Sequence, residues 1–445
     1  MKSGPGLVGA ALAWFLLGAA AFFSDLISLI WLYTGLFLLL ITIIEGLILF
    51  FFTDRLGARR EHPLSLAQDE GVKVRVEVFR TDRGILPFGI WLYDLHPLSM
   101  ETEAQQSFPF KLDRKLLLRE GTLILSYTLI PRQRGLWFFQ GLELMLSSPL
   151  RFWRLKVRLL LESSVRIYPN FNRIKASAGK DLRGLLERSG LKNVRRRGLG
   201  MEFNSLRDFQ DGDSIRAVDW RATSRRRKVI IKEYQEEQDQ QLLFLLDSGY
   251  RLHRLDAPRG RMQFDSALEA VLLLSWISLK HGDSVALGSF GADKRWFSPR
   301  KGLSAFSHLM NSFYDLNSTS FPSSPFSALE EALSRLRRRT FIILISNFRE
   351  EDRESLSWIL RQVEKRHLLL MVSLRERESE ALAQRRPQNM TEALEGAAAF
   401  SYLASRRDLY RSWEHSGTLT LESSSEDLSA ALINRYISVK RSGFL

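Results

Sequence analysis

Residues 240–249 read QQLLFLLDSG, and this run decides the fold. From Leu242 to Leu246 every side chain is large and apolar, so neither face is left for water. Such a strand suits the interior of a parallel sheet covered on both sides. Working outward, residues 264–281 form a helical pattern with Leu268, Val271, Leu272, Ser275 and Leu279 on one face, stopped by Gly282. Strands are predicted at 284–290, 340–345, 368–374 and 418–421. Between and after them, helices are predicted at 303–316, 327–338, 355–366, 402–415 and 426–439. Strand and helix alternate throughout 240–445, the pattern of a doubly wound α/β sheet. Ligands of such sheets sit at the carboxyl ends of the strands, and Asp247 and Asn347 both fall there.

Immediately upstream, residues 198–237 read GLGMEFNSLRDFQDGDSIRAVDWRATSRRRKVIIKEYQEE. Between Arg183 and Lys228 there are thirteen Lys or Arg against six Asp or Glu. The two signs interleave with single aromatics, Phe203, Phe209 and Trp220, whereas a solvated basic tail needs no aromatics at such intervals. The expectation for 171–239 is therefore a folded, ion-paired segment. In it Arg207, Arg216 and Arg225 pair with Asp213, Asp219 and Glu233, and Trp220 packs beneath them against the α/β domain. The competing expectation, six solvated charges, would leave each pair worth about 0–1 kcal/mol.

The amino-terminal end has a different character. Residues 7–23 are a 17-residue run without charge, and 26–52 a second run interrupted only by Glu45. Each is long enough to cross a hydrocarbon core of about 30 Å as a helix, so residues 1–60 are expected to form a membrane hairpin. The alternative for the first run is a cleaved signal peptide, favoured by the small residues at 18–21; the second span would remain. Lys2 precedes the hairpin and Arg55, Arg59 and Arg60 follow it, while the hinge carries only Asp25. Positive flanks mark the cytoplasmic side, so an inner-membrane location with both ends inside is expected. Glu45 is costly facing lipid and is expected to be protonated, interfacial or packed. Residues 61–170 contain VKVRVEV at 72–78, a strict period of two, and strand-like pieces at 121–130, 136–139, 142–146 and 165–168 separated by prolines. They predict a small β-sandwich.

Composition narrows the functions. The 445 residues carry a net charge of +14, which favours an anionic partner surface. With no Cys, disulfides, thiolate catalysis and thiolate-bound metal are excluded. The seven His never stand at i,i+3 or i,i+4, so zinc-type pairing is absent; His253 alone is close to the strand-end positions and reads as a surface residue. No phosphate-binding loop or nucleophile elbow is present, and Gly198-x-Gly200 opens a strand-poor basic region where a dinucleotide site needs a strand-to-helix turn. The runs Arg195–Arg197 and Arg225–Lys228 invite nucleic acid, but a chain tied to a membrane offers them anionic lipid instead, at about 1 kcal/mol per basic residue near the surface.

Glu202-Phe203, Leu206-Arg207, Gly212-Asp213, Arg216, Asp219-Trp220, Ala222, Ser224-Arg225 and Glu233, followed by the strand ending at Asp247, carry a resemblance to the bacterial domain of unknown function 58 family. Arg134-Gly135-Leu136 and Asn434-Arg435-Tyr436 also fit that layout. The resemblance implies a membrane-anchored protein with a von Willebrand factor A-like α/β domain at 240–445, no established enzymatic activity, and a MoxR-type AAA+ ATPase as partner. Von Willebrand A domains can hold Mg²⁺ through an Asp-x-Ser-x-Ser loop, a Thr and a later Asp. Here the loop positions are Asp247, Gly249 and Arg251, Asn347 stands where the later Asp is expected, and Thr319 is the nearest threonine. One carboxylate with a guanidinium beside it makes a poor site for a hard cation, so no cofactor is expected, with Mg²⁺ as the minority alternative. Asp247 is expected to pair with Arg251 or a backbone N–H. The resulting expectation is a non-enzymatic membrane scaffold or adaptor for an AAA+ ATPase or its client. The alternatives are a metal-dependent receptor and a hydrolase with a strand-end site.

Overall fold

A computed structural model describes the chain except for residues 23–24, 54–55, 82–88, 98, 103–109, 112–121, 173–175, 177–201, 211–217, 227, 236–239, 257–260 and 443–445. It divides into two compact units, Met1–Asn170 and Phe171–Leu445.

The first unit begins with two apolar helices, Pro5–Ala21 and Asp25–Thr53. The second is long and apolar enough to cross a membrane; the first is shorter. The helices lie against each other through a reciprocal arrangement. Trp14 and Trp31 stack with ring centroids 4.7 Å apart, and the Trp14 indole N–H donates to the Trp31 carbonyl at 3.0 Å. Each ring lies over a glycine of the other helix: a Cβ on Gly18 would be 2.7 Å from Trp31 Nε1, and one on Gly35 2.7 Å from Trp14 Nε1.

Three sheets follow, gathered around one core. A four-stranded antiparallel sheet orders Leu56–Glu61, Val72–Arg80, Thr122–Pro131 and Met100–Thr102. A five-stranded sheet orders Lys2–Ser3, Trp153–Leu159, Gly141–Ser147, Gly89–Leu95 and Phe110–Lys111. A three-stranded sheet joins Ser65–Ala67, Ser163–Tyr168 and Gly135–Phe139. The alternation in VKVRVEV does what period two dictates: Val74, Val76 and Val78 enter the core with Leu92, Leu129, Leu142, Leu144 and Leu146. Each fully buried aliphatic contributes about 1.5–3 kcal/mol. Trp153–Leu159 (WRLKVRL) alternates equally well and adds a strand beyond those predicted.

Two charged groups, one in the second apolar helix and one in the strand that follows it, are absorbed into this unit. Glu45 is buried, accepting from Ser148 Oγ at 2.6 Å and from the Leu150 N–H at 2.7 Å, while Leu49 is fully buried in the core. Arg60, expected as a topogenic flank, is buried on Asp94 instead, with Tyr127 donating to the same carboxylate.

The second unit is built on a six-stranded sheet, labelled here in chain order: β1 Gln241–Asp247, β2 Ser284–Phe290, β3 Trp296–Arg300, β4 Phe341–Ile345, β5 Leu368–Leu374 and β6 Leu419–Ser423. The spatial order is β3-β2-β1-β4-β5-β6, parallel except for the antiparallel edge strand β3. The helices are α1 Gln263–Lys280, α2 Ser304–Phe313, α3 Pro325–Arg335, α4 Arg353–Glu364, α5 Arg377–Gln384, α6 Met390–His415 and α7 Leu428–Arg441. Alternate β1 residues enter opposite cores. Leu242, Phe244 and Leu246 pack with α1, α2 and α7, and Leu243 and Leu245 with α3, α4 and α6. This two-sided covering is the physical reason the run Leu242–Leu246 has no polar position. The sequence reading missed β3, whose Pro299 and exposed end disguise an edge strand, and also α5 and the first half of α6.

Residues 202–235 are not strand-poor, as the sequence reading had them. Glu202–Asp208 and Ile230–Gln235 pair as an antiparallel two-stranded sheet with the short helix Trp220–Arg226 between them.

Candidate functional site

The carboxyl end of β1 is where the topology offers a ligand site. The Asp247 side chain there is fully buried. It accepts from the Gly249 N–H at 2.8 Å, from Ser323 Oγ at 2.9 Å and from Ser346 Oγ at 2.5 Å. Ser346 comes from the end of β4 and Ser323 from the loop before α3. Ser323 also explains Gly249: a Cβ there would sit 2.6 Å from Ser323 Cβ and 2.8 Å from the Phe321 carbonyl oxygen, so a serine at 249 has no room. Thr319, the threonine singled out by the sequence, turns to the Ser248 carbonyl instead.

Arg251 does not pair with Asp247. Its guanidinium meets Asp352 in a two-pronged pair, Nη1 to Oδ2 at 2.5 Å and Nη2 to Oδ1 at 2.9 Å, and also donates to the Asn347 carbonyl at 3.3 Å. Both side chains are buried, and the fork geometry makes the strong form of a charge-assisted bond. The backbone N–H half of the expectation for Asp247 describes Gly249; the Arg251 half is corrected, because Asp352 offers a parallel carboxylate. Asn347 is also engaged through both ends. Its Oδ1 accepts from the Leu374 N–H at 3.0 Å and Ser373 Oγ at 3.2 Å, and its Nδ2 donates to Gln263 Oε1 at 2.8 Å and the Arg251 carbonyl at 3.2 Å. The acceptor that a cation would need points at β5. Among the described residues no three His, Cys, Asp or Glu groups converge as a metal cluster. His253 is exposed, with Nδ1 3.0 Å from Ser318 Oγ.

Burial raises the Asp247 pKa, outweighing the hydrogen bonds from Ser346, Gly249 and Ser323 that favour the carboxylate. A carboxyl group with a raised folded pKa contributes stability that is fully present below its unfolded pKa and is lost as pH rises through the folded value. Asp247→Asn is therefore expected to compare best with the wild type at pH 7 and progressively worse toward pH 4. Thermal unfolding of both proteins across that range checks it; a constant difference would contradict the burial argument.

A second polar cluster lies near the ends of β5 and β6. The buried Glu376 accepts from Arg254 Nη1 at 2.5 Å, from the Tyr402 hydroxyl at 2.8 Å and from Arg406 Nη1 at 3.4 Å. Arg406 further donates to Ser373 Oγ and the Leu374 carbonyl, and pairs with Glu422 at 3.2 Å. A cavity of about 480 Å³ opens beside it, lined in part by Arg375, Glu380, Phe400, Leu403, Arg407 and Glu422. The sequence held no local signal for this cluster, since Glu376 and Arg406 belong to different elements thirty residues apart.

Of the proposed ion-paired motif, Gly212, Asp213 and Arg216 lie outside the described residues. Glu202, Arg207 and Glu233 are described only as strand positions, with Arg207 opposite Ile231 and Glu233 opposite Ser205. Trp220 is corrected: it is 67% exposed and does not pack beneath the charges. Arg225 is exposed on the short helix. Asp219 acts as that helix's cap, with Oδ1 accepting from the Arg221 N–H at 3.0 Å and the Ala222 N–H at 3.1 Å. Asp219→Ala is thus expected to cost about 1 kcal/mol, with Asp219→Asn restoring most of it because asparagine also caps. An ion-pair role predicts that asparagine does no better than alanine in thermal unfolding.

Residues 205–403 match the family described as Protein of unknown function DUF58. The Uncharacterized protein YeaD of Bacillus subtilis (strain 168) is 28% identical over 109 residues, covering 24% of this chain and 24% of that protein. The chain thus spans about a quarter of the length of the curated relative it matches. Among solved structures, proximal thread matrix protein 1 from the mussel byssus aligns over 46% of this chain and 46% of its own at 13% identity, with a TM-score of 0.26. An Uncharacterized Membrane Spanning Protein from Vibrio fischeri aligns over 45% of this chain and 98% of its own at 10% identity, with a TM-score of 0.16. Likeness at that level carries no weight for fold or function.

Proposed function

We propose that this chain is a non-catalytic scaffold anchored in the inner membrane by its two apolar helices, with the β unit and a von Willebrand factor A-like second unit in the cytoplasm. Its partner is a protein, a MoxR-type AAA+ ATPase or the client that such an ATPase remodels. The observation that carries the reading is the filled strand end. The strand-end groups singled out by the sequence are each held by neighbours among the described residues: Asp247 by Ser323, Ser346 and Gly249, Arg251 by Asp352, and Asn347 by Leu374 and Gln263. Catalysis and cation binding both need open valence at such a position, whereas a rigid, internally satisfied rim suits protein recognition. A mixed sheet with one antiparallel edge and helices on both faces is compatible with the von Willebrand A assignment.

Two measurements test this. Titration of the full chain in detergent with Mg²⁺ by calorimetry is expected to give no saturable heat; tight binding would reinstate the metal-dependent receptor. Affinity capture from membranes of the native host, with and without ATP, is expected to recover an AAA+ ATPase whose retention depends on nucleotide.

A further inference from the structure

Four observations converge where the two apolar helices leave the β unit. First, the turn Ser148–Phe152 is locked to both helices: Gly4 and Gly6 donate their N–H groups to the carbonyls of Phe152 and Arg151 at 2.7 and 3.2 Å, and Glu45 accepts from Ser148 and Leu150. Trp153 Nε1 donates to the Thr42 carbonyl at 2.8 Å. The β unit therefore grips the second helix from residue 42 onward. Residues 25–41 and the 17-residue first helix are left to span about 25 Å each, close to a hydrocarbon core.

Second, Lys2 lies directly opposite Arg154 in the antiparallel pairing of Lys2–Ser3 with Trp153–Leu159. Directly paired residues share a face of the sheet, and like charges there repel. Third, Lys2, Arg151 and Arg154 are all exposed, and none makes an ion pair among the described residues, whereas Lys156 farther along the strand is held by Glu143 at 2.7 Å. Fourth, Arg151 adopts φ 61°, a left-handed conformation uncommon for a residue with a Cβ, and Leu150 beside it is 52% exposed. The turn thus presents an apolar side chain and a cation together, at the level where lipid begins.

We propose that Lys2, Arg151 and Arg154 form a binding site for the headgroups of anionic phospholipids. The chemistry fits: three unpaired cations within one turn of the helix exits, a local repulsion that bound phosphate relieves, and an apolar residue to enter the acyl boundary. The site rests on the membrane reading given above and specifies which lipid that reading requires. It is separate from the basic run at 225–228, which belongs to the other unit.

The test uses the full chain in phosphatidylcholine nanodiscs, titrated with dansyl-labelled phosphatidylglycerol, with energy transfer from tryptophan as the readout. Saturable transfer is expected for the wild type. Each basic residue contributes about fivefold, so Lys2→Gln/Arg151→Asn/Arg154→Gln is expected to weaken binding by up to about a hundredfold at low salt; asparagine tolerates the left-handed turn. Lys2→Gln and Arg154→Gln singly keep the proposal testable should the triple variant misfold, and each is expected to weaken binding severalfold. Lys156→Gln is expected to bind as the wild type does. Equal binding by wild type and folded variants, or an equal loss in Lys156→Gln, overturns the site. Insertion into the discs without headgroup preference overturns it while leaving the membrane reading intact; failure to insert overturns both.

Discussion

Arg251→Ala is expected to cost the second unit about 3–5 kcal/mol, the usual result of removing one partner from a buried ion pair. The loss leaves Asp352 with the Arg349 N–H at 2.9 Å as a remaining donor and no guanidinium. It also takes a donor from the Asn347 carbonyl. For a unit of this size the melting temperature should fall by about 6–20 °C, followed by near-ultraviolet circular dichroism of the full chain in detergent. Arg251→Met combined with Asp352→Leu should recover much of the loss, since an apolar replacement removes the stranded charge along with its partner. A single-variant loss below about 1 kcal/mol would mean that the pair behaves as a solvated one.

The first unit contains a more deeply buried counterpart. Arg60 and Asp94 are both fully excluded from solvent. Arg60 reaches the carbonyls of Leu161 at 2.7 Å and Gly141 at 3.0 Å as well as the carboxylate, tying Leu56–Glu61 to Gly89–Leu95 and Gly141–Ser147. Arg60→Ala would leave the Asp94 carboxylate with the Tyr127 hydroxyl but no counter-charge, and would take a donor from two carbonyl oxygens, so a loss of about 3–5 kcal/mol is expected. Hydrogen exchange should report it as faster exchange in both of those strands. Unchanged protection there would sink the claim that Arg60 is the tie. Arg60→Lys should rescue little, because an ammonium cannot reproduce the fork.

How far the chain could be read in advance follows from the range of the signals. Strands β1, β2, β4 and β5 were legible because a strand covered on both faces is apolar along most of its length. The amphipathic helices between them were legible by their period. Edge strand β3 was not, since one exposed side and Pro299 leave no such signature. The site was legible only as a set of positions. Asp247, Gly249, Arg251 and Asn347 do meet at the strand ends, but whom each of them holds was not visible. Arg251 finds Asp352 across 101 residues and Asp247 finds Ser346 across 99. Trp220 departs from expectation for the opposite reason: an aromatic among charges suggests burial, and it is exposed.

The latch at Glu45 has a consequence for how the protein is made. Its two partners lie 103 and 105 residues downstream. At about 5–20 residues per second, several seconds pass after the helix is made before a hydroxyl and an amide arrive to receive the carboxylate. Throughout that interval the ionised acid is favoured where water reaches it. On the membrane reading proposed above, Glu45 would thus set during synthesis the height at which the finished β unit later clasps the helix.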